Sequence, residues 1–187
     1  MLPDSRAPAL LPSPWDKFLA ELDAQLANAV ELHCAGAFVL IVLYGREIPT
    51  GDLDYVEAIP PSQIETLQAV AGPDSAIARK YGVHLQFVPL GGIADVPENY
   101  VSRLVELVPG RFPKLRLRAL DAHDLVLSKL TRNATRDERD FAFLAEKGIL
   151  DPALLKKRYL EELRPNLANE ERHDLTLRLW IEAYLEK

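Results

Sequence analysis

Two aspartates one residue apart, Asp52 and Asp54, carry the most evident chemistry in this chain of 187 residues. They open a run with strand character, Asp52-Leu53-Asp54-Tyr55, that continues to Ile59 and meets Pro60-Pro61. In a strand, residues i and i+2 project from one face, roughly 6.5–7 Å apart. That spacing lets two carboxylates share a magnesium ion or split two ions between them, and a cation there relieves the repulsion of like charges. Upstream, Gly36-Ala37 separates the apolar residues 30–35 from the apolar run 38–44. A glycine lets backbone approach a phosphate, and a helix starting beside it would offer its unpaired N–H groups. The intervening loop 45–51 contributes Arg46, suited to pair with phosphate or with the aspartates, and Thr50, suited to orient Asp52 or to shape the turn. The plain alternative is a solvated strand end at Asp52 and Asp54, with Gly36 serving close packing alone.

A second group lies downstream. Lys129, Arg132 and Arg136 are spaced by three and four, so a continuous helix would bring them to one face, against triphosphate or RNA phosphate. The plain alternative there is a solvated stripe in which Arg136 pairs with Asp140. Lys129 stands out because Leu125, Val126 and Leu130 around it read as core. A lysine so placed is held against a carboxylate or a phosphate, and Asp140 is its best anionic counterpart and a weak candidate for a general base. Arg139 sits off that face.

The Gly-Ala step, the apolar run and the Asp-x-Asp strand, with Arg46-Glu47-Ile48-Pro49-Thr50-Gly51 between them, resemble the nucleotidyltransferase superfamily. The loop looks like that of a bacterial subgroup related to the abortive-infection type IV toxins. Asp124-Leu125-Val126-Leu127-Ser128-Lys129-Leu130, followed by Arg136-Asp137-Glu138-Arg139-Asp140, is similar to the DLxxxKL…RDxxD stretch of those proteins. The two patches span residues 34–144.

The resemblance implies an α/β fold, a mixed β-sheet flanked by helices with a helical C-terminal part, and it types the ambiguous run 38–44 as a buried helix. It also implies magnesium held by Asp52 and Asp54, an NTP donor, and nucleotidyl transfer to an acceptor that is left open: tRNA, protein or small molecule. The catalytic set would be Asp52, Asp54, Lys129 and Asp140, and the substrate contacts Gly36, Ala37, Arg46, Thr50, Arg132 and Arg136. A toxin-type enzyme is one form of this reading. Its rivals are a nucleotide-binding protein that has lost catalysis and a toxin–antitoxin partner protein docking another chain through a last helix with Trp180 and Tyr184. Two departures bear on the choice. Ala37 lacks the hydroxyl of the Gly-Ser form, and on the strand 83–88 His84 or Gln86 stands where many members carry a third metal-binding carboxylate.

Composition sets the frame. A hydrophobic content of 48% supports a real core, and a net charge of −6 leaves nucleic acid only a local basic patch to bind. The single cysteine, Cys34, sits in an apolar run and reads as a buried structural thiol in a reducing, cytoplasmic setting. The longest apolar run is too short for the roughly 20 residues that cross a bilayer. His123 and His173 show no metal-ligand spacing.

The elements that would position these residues follow in order. Residues 1–14 read as a proline-rich leader, 15–120 as the α/β core, and 121–187 as a helical part packed on it. Ser13 is expected to cap a first helix whose buried stripe runs Trp15, Phe18, Leu19, Leu22, Leu26, Ala29 and Val30. Residues 30–35 and 52–59 are strands, and His33 reads as a satisfied polar partner. Ser62 and Glu65 form a capping-box pattern for a helix to Ala71, and Asp74 is expected to cap a shorter one to Tyr81, with Gly82 at its exit. On the strand 83–88, Val83, Leu85 and Phe87 face one way and His84, Gln86 and Val88 the other. An irregular stretch from Gly91-Gly92 leads to a helix over 98–108 with Tyr100, Leu104, Leu107 and Val108 inward. Residues 115–120 alternate as a strand at or near a sheet edge. Asp121 caps a helix carrying Lys129, and helices follow over 137–146, 151–163 and 168–187, the last with Leu175, Leu179, Trp180 and Tyr184 on one side.

Overall fold

The computed structural model describes residues 11–91, 95–132 and 134–186, so most of the expected leader, and Gly92, lie outside the described residues. The chain divides into two units, residues 1–87 with 106–119 and residues 88–105 with 120–187. The segment 88–105 groups with residues 120–187.

The first unit opens with α1 (Trp15–Gln25), which buries Trp15, Phe18, Leu19 and Leu22. Full burial of such side chains is worth about 1.5–3 kcal/mol each. Ser13 does not cap this helix: the N-cap is Pro14, without a side-chain hydrogen bond, and Trp15 N donates to Pro12 O at 2.8 Å. The stripe ends at Leu26. Ala29 is exposed, and Val30 already belongs to β1 (Val30–Ala35).

The apolar run that periodicity could not type is a helix, α2 (Gly36–Tyr44), closed by Gly45 in the left-handed conformation. Then come β2 (Asp52–Ile59), α3 (Ile64–Ala71), α4 (Ala76–Tyr81) and β3 (His84–Phe87). The capping box at Ser62 is not formed, because a 3-10 turn over Pro61–Gln63 precedes α3 and moves its N-cap to Gln63. Ser75, not Asp74, caps α4, its Oγ accepting from Ala78 N at 3.1 Å, and Gly82 provides the left-handed exit.

The expected helix over 98–108 is absent. A 3-10 turn, Tyr100–Arg103, gives way to a short strand, β4 (Val105–Leu107), beside β5 (Leu115–Ala119). Tyr100, Leu104 and Leu107 are buried as expected, so burial was legible where backbone type was not. The sheet order is β3-β2-β1-β5-β4, with β1–β2 antiparallel and β1–β5 and β2–β3 parallel. β4 takes the edge, which leaves β5 next to it.

Alternation and register sort the sheet into two faces. Leu32, Cys34, Leu53, Tyr55, Leu85, Leu115, Leu117 and Ala119 form a buried apolar face. Tyr55 Oη accepts from Gln68 Nε2 of α3 at 3.0 Å, and Trp15 meets Phe38 of α2 with ring centroids 4.9 Å apart. The opposite face carries Asp52, Asp54, Glu57, His33, Glu31, His84 and Gln86.

The second unit contains α5 (Ala122–Leu127), α6 (Thr135–Glu146), α7 (Pro152–Arg158) and α8 (Glu170–Tyr184), with a π turn at Tyr159–Leu163 after α7. Asp121 caps α5 as expected, accepting from Asp124 N at 2.9 Å. Buried Asp124 binds Arg103 at 2.8 Å and Arg158 at 2.9 Å, and Arg103 reaches Glu162 at 2.7 Å. These pairs tie Arg103 to α5, α7 and the π turn, which is why 88–105 groups here.

On α8 the buried residues are His173, Thr176, Leu177, Trp180 and Ile181, with Leu175 and Leu179 exposed. Trp180 stacks on Phe141 at 5.3 Å and so turns that face inward, away from the stripe expected through Leu175 and Leu179. Among the described residues, no helix is long and apolar enough to cross a membrane.

Candidate functional site

The aspartate pair is built by the sheet. β2 alternates half-buried Asp52 and Asp54 with fully buried Leu53 and Tyr55, so the apolar pair fixes the phase and turns both carboxylates to the other face. Register places the neighbours. Asp52 pairs with His84 and Asp54 with Gln86 on β3, and Ala35 of β1 pairs with Asp54. The expectation that His84 and Gln86 share a face beside the aspartates is met.

Gly36 and Asp54 are in close opposition. Gly36 is the first residue of α2, with φ +73°, and a Cβ added there would lie 2.1 Å from Asp54 Oδ2. Only glycine accepts both the backbone conformation and the carboxylate at that distance. The N-cap of α2, Ala35, makes no side-chain hydrogen bond to the helix start. The first N–H groups of this helix, at and after Ala37, thus lie where the helix dipole favours an anion, beside the Asp54 carboxylate. Thr50 Oγ1 donates to Asp52 Oδ1 at 2.5 Å, which fixes that carboxylate's rotation. Arg46 is half-buried in the loop after α2, its backbone N–H on Leu40 O at 3.1 Å.

β2 carries a bulge that the expected strand 52–59 did not include. Register shifts between His33 and Cys34, so that Val56 is the extra residue of β2 and Glu57 returns to the face of Asp54. Fully buried His33 sits there between Glu57, Oε2 3.4 Å from Nδ1, and Glu31, Oε1 3.2 Å from Nε2. The available signal was the break in alternation at Tyr55-Val56, two consecutive apolar residues. Cys34, on the apolar face, is buried, and burial pushes its thiol up and keeps it protonated.

Lys129, Arg132, Arg136 and Asp140 belong to the second unit, and the continuous helical face expected for the three basic residues does not form. α5 ends at Leu127, residues 128–132 run through turns, and α6 starts only at Thr135. Lys129 Nζ lies 2.6 Å from Asp140 Oδ2 and 3.6 Å from Asp137 Oδ1, and all three are buried. Arg132 forks onto Asp137, with Nε 2.9 Å from Oδ2, and Asp137 also accepts Ala134 N at 2.9 Å. Burial alone would raise the Asp137 carboxyl. The Arg132 guanidinium and the Ala134 N–H outweigh it and hold that carboxyl below its ordinary range. Two cations meet two carboxylates in this cluster, so the Lys129 charge is matched internally. Arg136 and Arg139 are exposed.

A family model described as "Nucleotidyltransferase of unknown function (DUF6036)" matches residues 17–186. No curated protein and no solved structure matches the chain.

Proposed function

Because the chain belongs to this family of nucleotidyltransferases of unknown function, we propose that it transfers a nucleotidyl group from an NTP to an acceptor hydroxyl in a magnesium-dependent reaction. The observation that carries the proposal is the opposition of Gly36 and Asp54, which joins a helix N-terminus to a carboxylate pair.

The donor set fits magnesium. The ion takes oxygen ligands, accepts one or two carboxylates together with substrate phosphates, and retains water. Asp52 and Asp54 would hold it, Asp52 steadied by Thr50. The chemistry it supplies when bound is neutralisation of the charge on the departing pyrophosphate. The chain's own part is positional. The α2 N–H groups after Gly36 receive phosphate oxygens in place of the missing Ala37 hydroxyl, and Arg46, beyond the C-terminal end of the same helix, supplies a positive charge to the loop that leads to Asp52. Lys129 and Arg132 hold Asp140 and Asp137 together and stiffen the turn between α5 and α6.

The specific features that favour a second reading, a nucleotide-binding protein without catalysis, are neutral Gln86 beside Asp54 and the absent hydroxyl at Ala37. One experiment separates the two. The full chain is incubated with each NTP labelled at the α- or γ-phosphate, with magnesium, and with tRNA, protein and small-alcohol acceptors. Transfer of α-label alone, lost in Asp54→Asn, supports nucleotidyl transfer, and label on tRNA or a host protein would support a toxin-type role. Transfer of γ-label contradicts the proposal. Bound nucleotide with no transfer to any acceptor favours the non-catalytic reading.

A further inference from the structure

The outer face of α8 carries a pattern that its packing does not use. His173, Thr176, Leu177, Trp180 and Ile181 turn inward, while Leu175 and Leu179 on the other side are 46% and 50% exposed. Exposed Arg172 precedes this leucine pair on the helix, and exposed Glu182 follows it. The order Arg172, Leu175, Leu179, Glu182 advances by three, four and three residues, so all four share one stripe. Apolar residues rimmed by charges in this way mark a contact surface. The groove beside α8 extends it: Leu160, 57% exposed, lines that groove together with Arg178 and Glu182.

The stripe also says what fits it. Its spacing reads the same from either end, and its two ends carry opposite charges. Laid antiparallel on a second copy about a two-fold axis level with Leu177, Leu175 of each helix meets Leu179 of the other. Arg172 of each then meets Glu182 of the other, as an isologous contact requires. A parallel pairing would set Arg172 against Arg172 and Glu182 against Glu182, so charge selects the antiparallel arrangement. Glu182 keeps its neighbour on the same helix as well, with Arg178 Nε 3.8 Å from Oε1. We propose that this chain forms a two-fold dimer through the outer face of α8. The leucines make its apolar centre, and two Arg172–Glu182 pairs close its ends. The occupant is a second copy because the complement of this stripe is the stripe itself. A contact of one helix from each copy is small among specific interfaces, so monomer and dimer should exchange in the micromolar range.

Sedimentation velocity of the full chain across micromolar concentrations, at low ionic strength, tests the proposal. The unmodified chain should pass from monomer to dimer as its concentration rises. Leu175→Lys and Leu179→Lys should each raise the dissociation constant by about tenfold or more. Arg172→Glu alone and Glu182→Arg alone should also weaken the dimer, since each sets like charges together at both ends. Mixing those two single variants should restore a dimer, and so should placing both changes in one chain. Circular dichroism and melting curves should match the unmodified chain throughout, because every changed position is exposed. A chain that stays monomeric at all concentrations overturns the proposal, even if this face captures a different protein. A dimer that survives both lysine substitutions overturns it too. Loss on charge reversal without recovery on mixing rules out the antiparallel pairing and the proposal with it. Should the lysine variants unfold, the charge variants and their mixture decide alone. None of these outcomes bears on the reading of Asp52 and Asp54.

Discussion

Replacing Gly36 by alanine tests whether the helix start and the carboxylate are built for each other. The added Cβ would lie 2.1 Å from Asp54 Oδ2, 2.9 Å from its Cγ and 3.0 Å from its Cβ, at a residue with φ +73°. Left-handed backbone costs a non-glycine residue roughly 1–2 kcal/mol. Driving Asp54 out of its rotamer adds about 0.5–1.5 kcal/mol, for a total of about 1.5–3.5 kcal/mol. In an Asp54→Ala background the 2.1 and 2.9 Å contacts vanish and the backbone cost dominates. The double-mutant cycle should therefore show a coupling of about 1 kcal/mol between the positions. Urea unfolding of the four proteins measures it. Equal costs of Gly36→Ala in both backgrounds would refute the opposition of these residues. The single variant should also lose magnesium-dependent nucleotide binding, because the displaced carboxylate no longer faces the cation.

Other changes have equally definite outcomes. Lys129→Met leaves Asp140 buried without its ammonium and should cost about 3–5 kcal/mol in urea unfolding, whereas exposed Arg139→Ala should stay within about 0.5 kcal/mol; equal losses would show that the cluster carries no stability. Thr50→Val removes one hydrogen bond to Asp52, worth about 0.5–1.5 kcal/mol, and should weaken magnesium-dependent nucleotide binding several-fold, with Thr50→Ser close to the original by calorimetry. His123 gives a pH dependence. Burial holds its imidazole below the ordinary value, and Nε2 accepts Asp151 N at 2.9 Å at the start of α7. The unfolded chain then takes up the proton first, so this contribution is complete above about pH 6.5 and declines as pH falls below it. His123→Asn should flatten that limb of the stability curve, and an unchanged limb would assign it to another group.

The strands that carry the site were legible because their signals are local. Asp52 and Asp54 alternate with Leu53 and Tyr55, and the pattern of 83–88 correctly set His84 and Gln86 opposite Leu85. α2 was not legible from periodicity, since every residue in 38–44 is apolar, and only the resemblance typed it. Features that depend on distant partners stayed hidden. The spacing of Lys129, Arg132 and Arg136 suits a helix, but Arg132 and Ala134 N–H bind Asp137 and start α6 afresh. Likewise Val105-Glu106-Leu107 extends because β5 offers an edge, a fact absent from the local sequence. Leu175 and Leu179 fit a helical stripe as well as Leu177 and Ile181 do. The stacking of Trp180 on Phe141 decides between them.

In the proposed function Asp52 and Asp54 are kept together for a cation that accompanies a nucleotide. Melting curves of the unmodified chain, Asp52→Asn and Asp54→Asn, with an α,β-methylene NTP analogue in magnesium or in EDTA, test it most directly. A ligand at 100 times its Kd stabilises by about 2.7 kcal/mol, which for a chain of this size corresponds to about 5–10 °C. That shift should occur in the unmodified chain with magnesium and be absent in EDTA and in both variants. The variants' own Tm without ligand should hold or rise slightly, because each removes one of two like charges. A marked loss of stability in Asp54→Asn, or an undiminished nucleotide shift in both variants, would contradict the claim and make the pair structural.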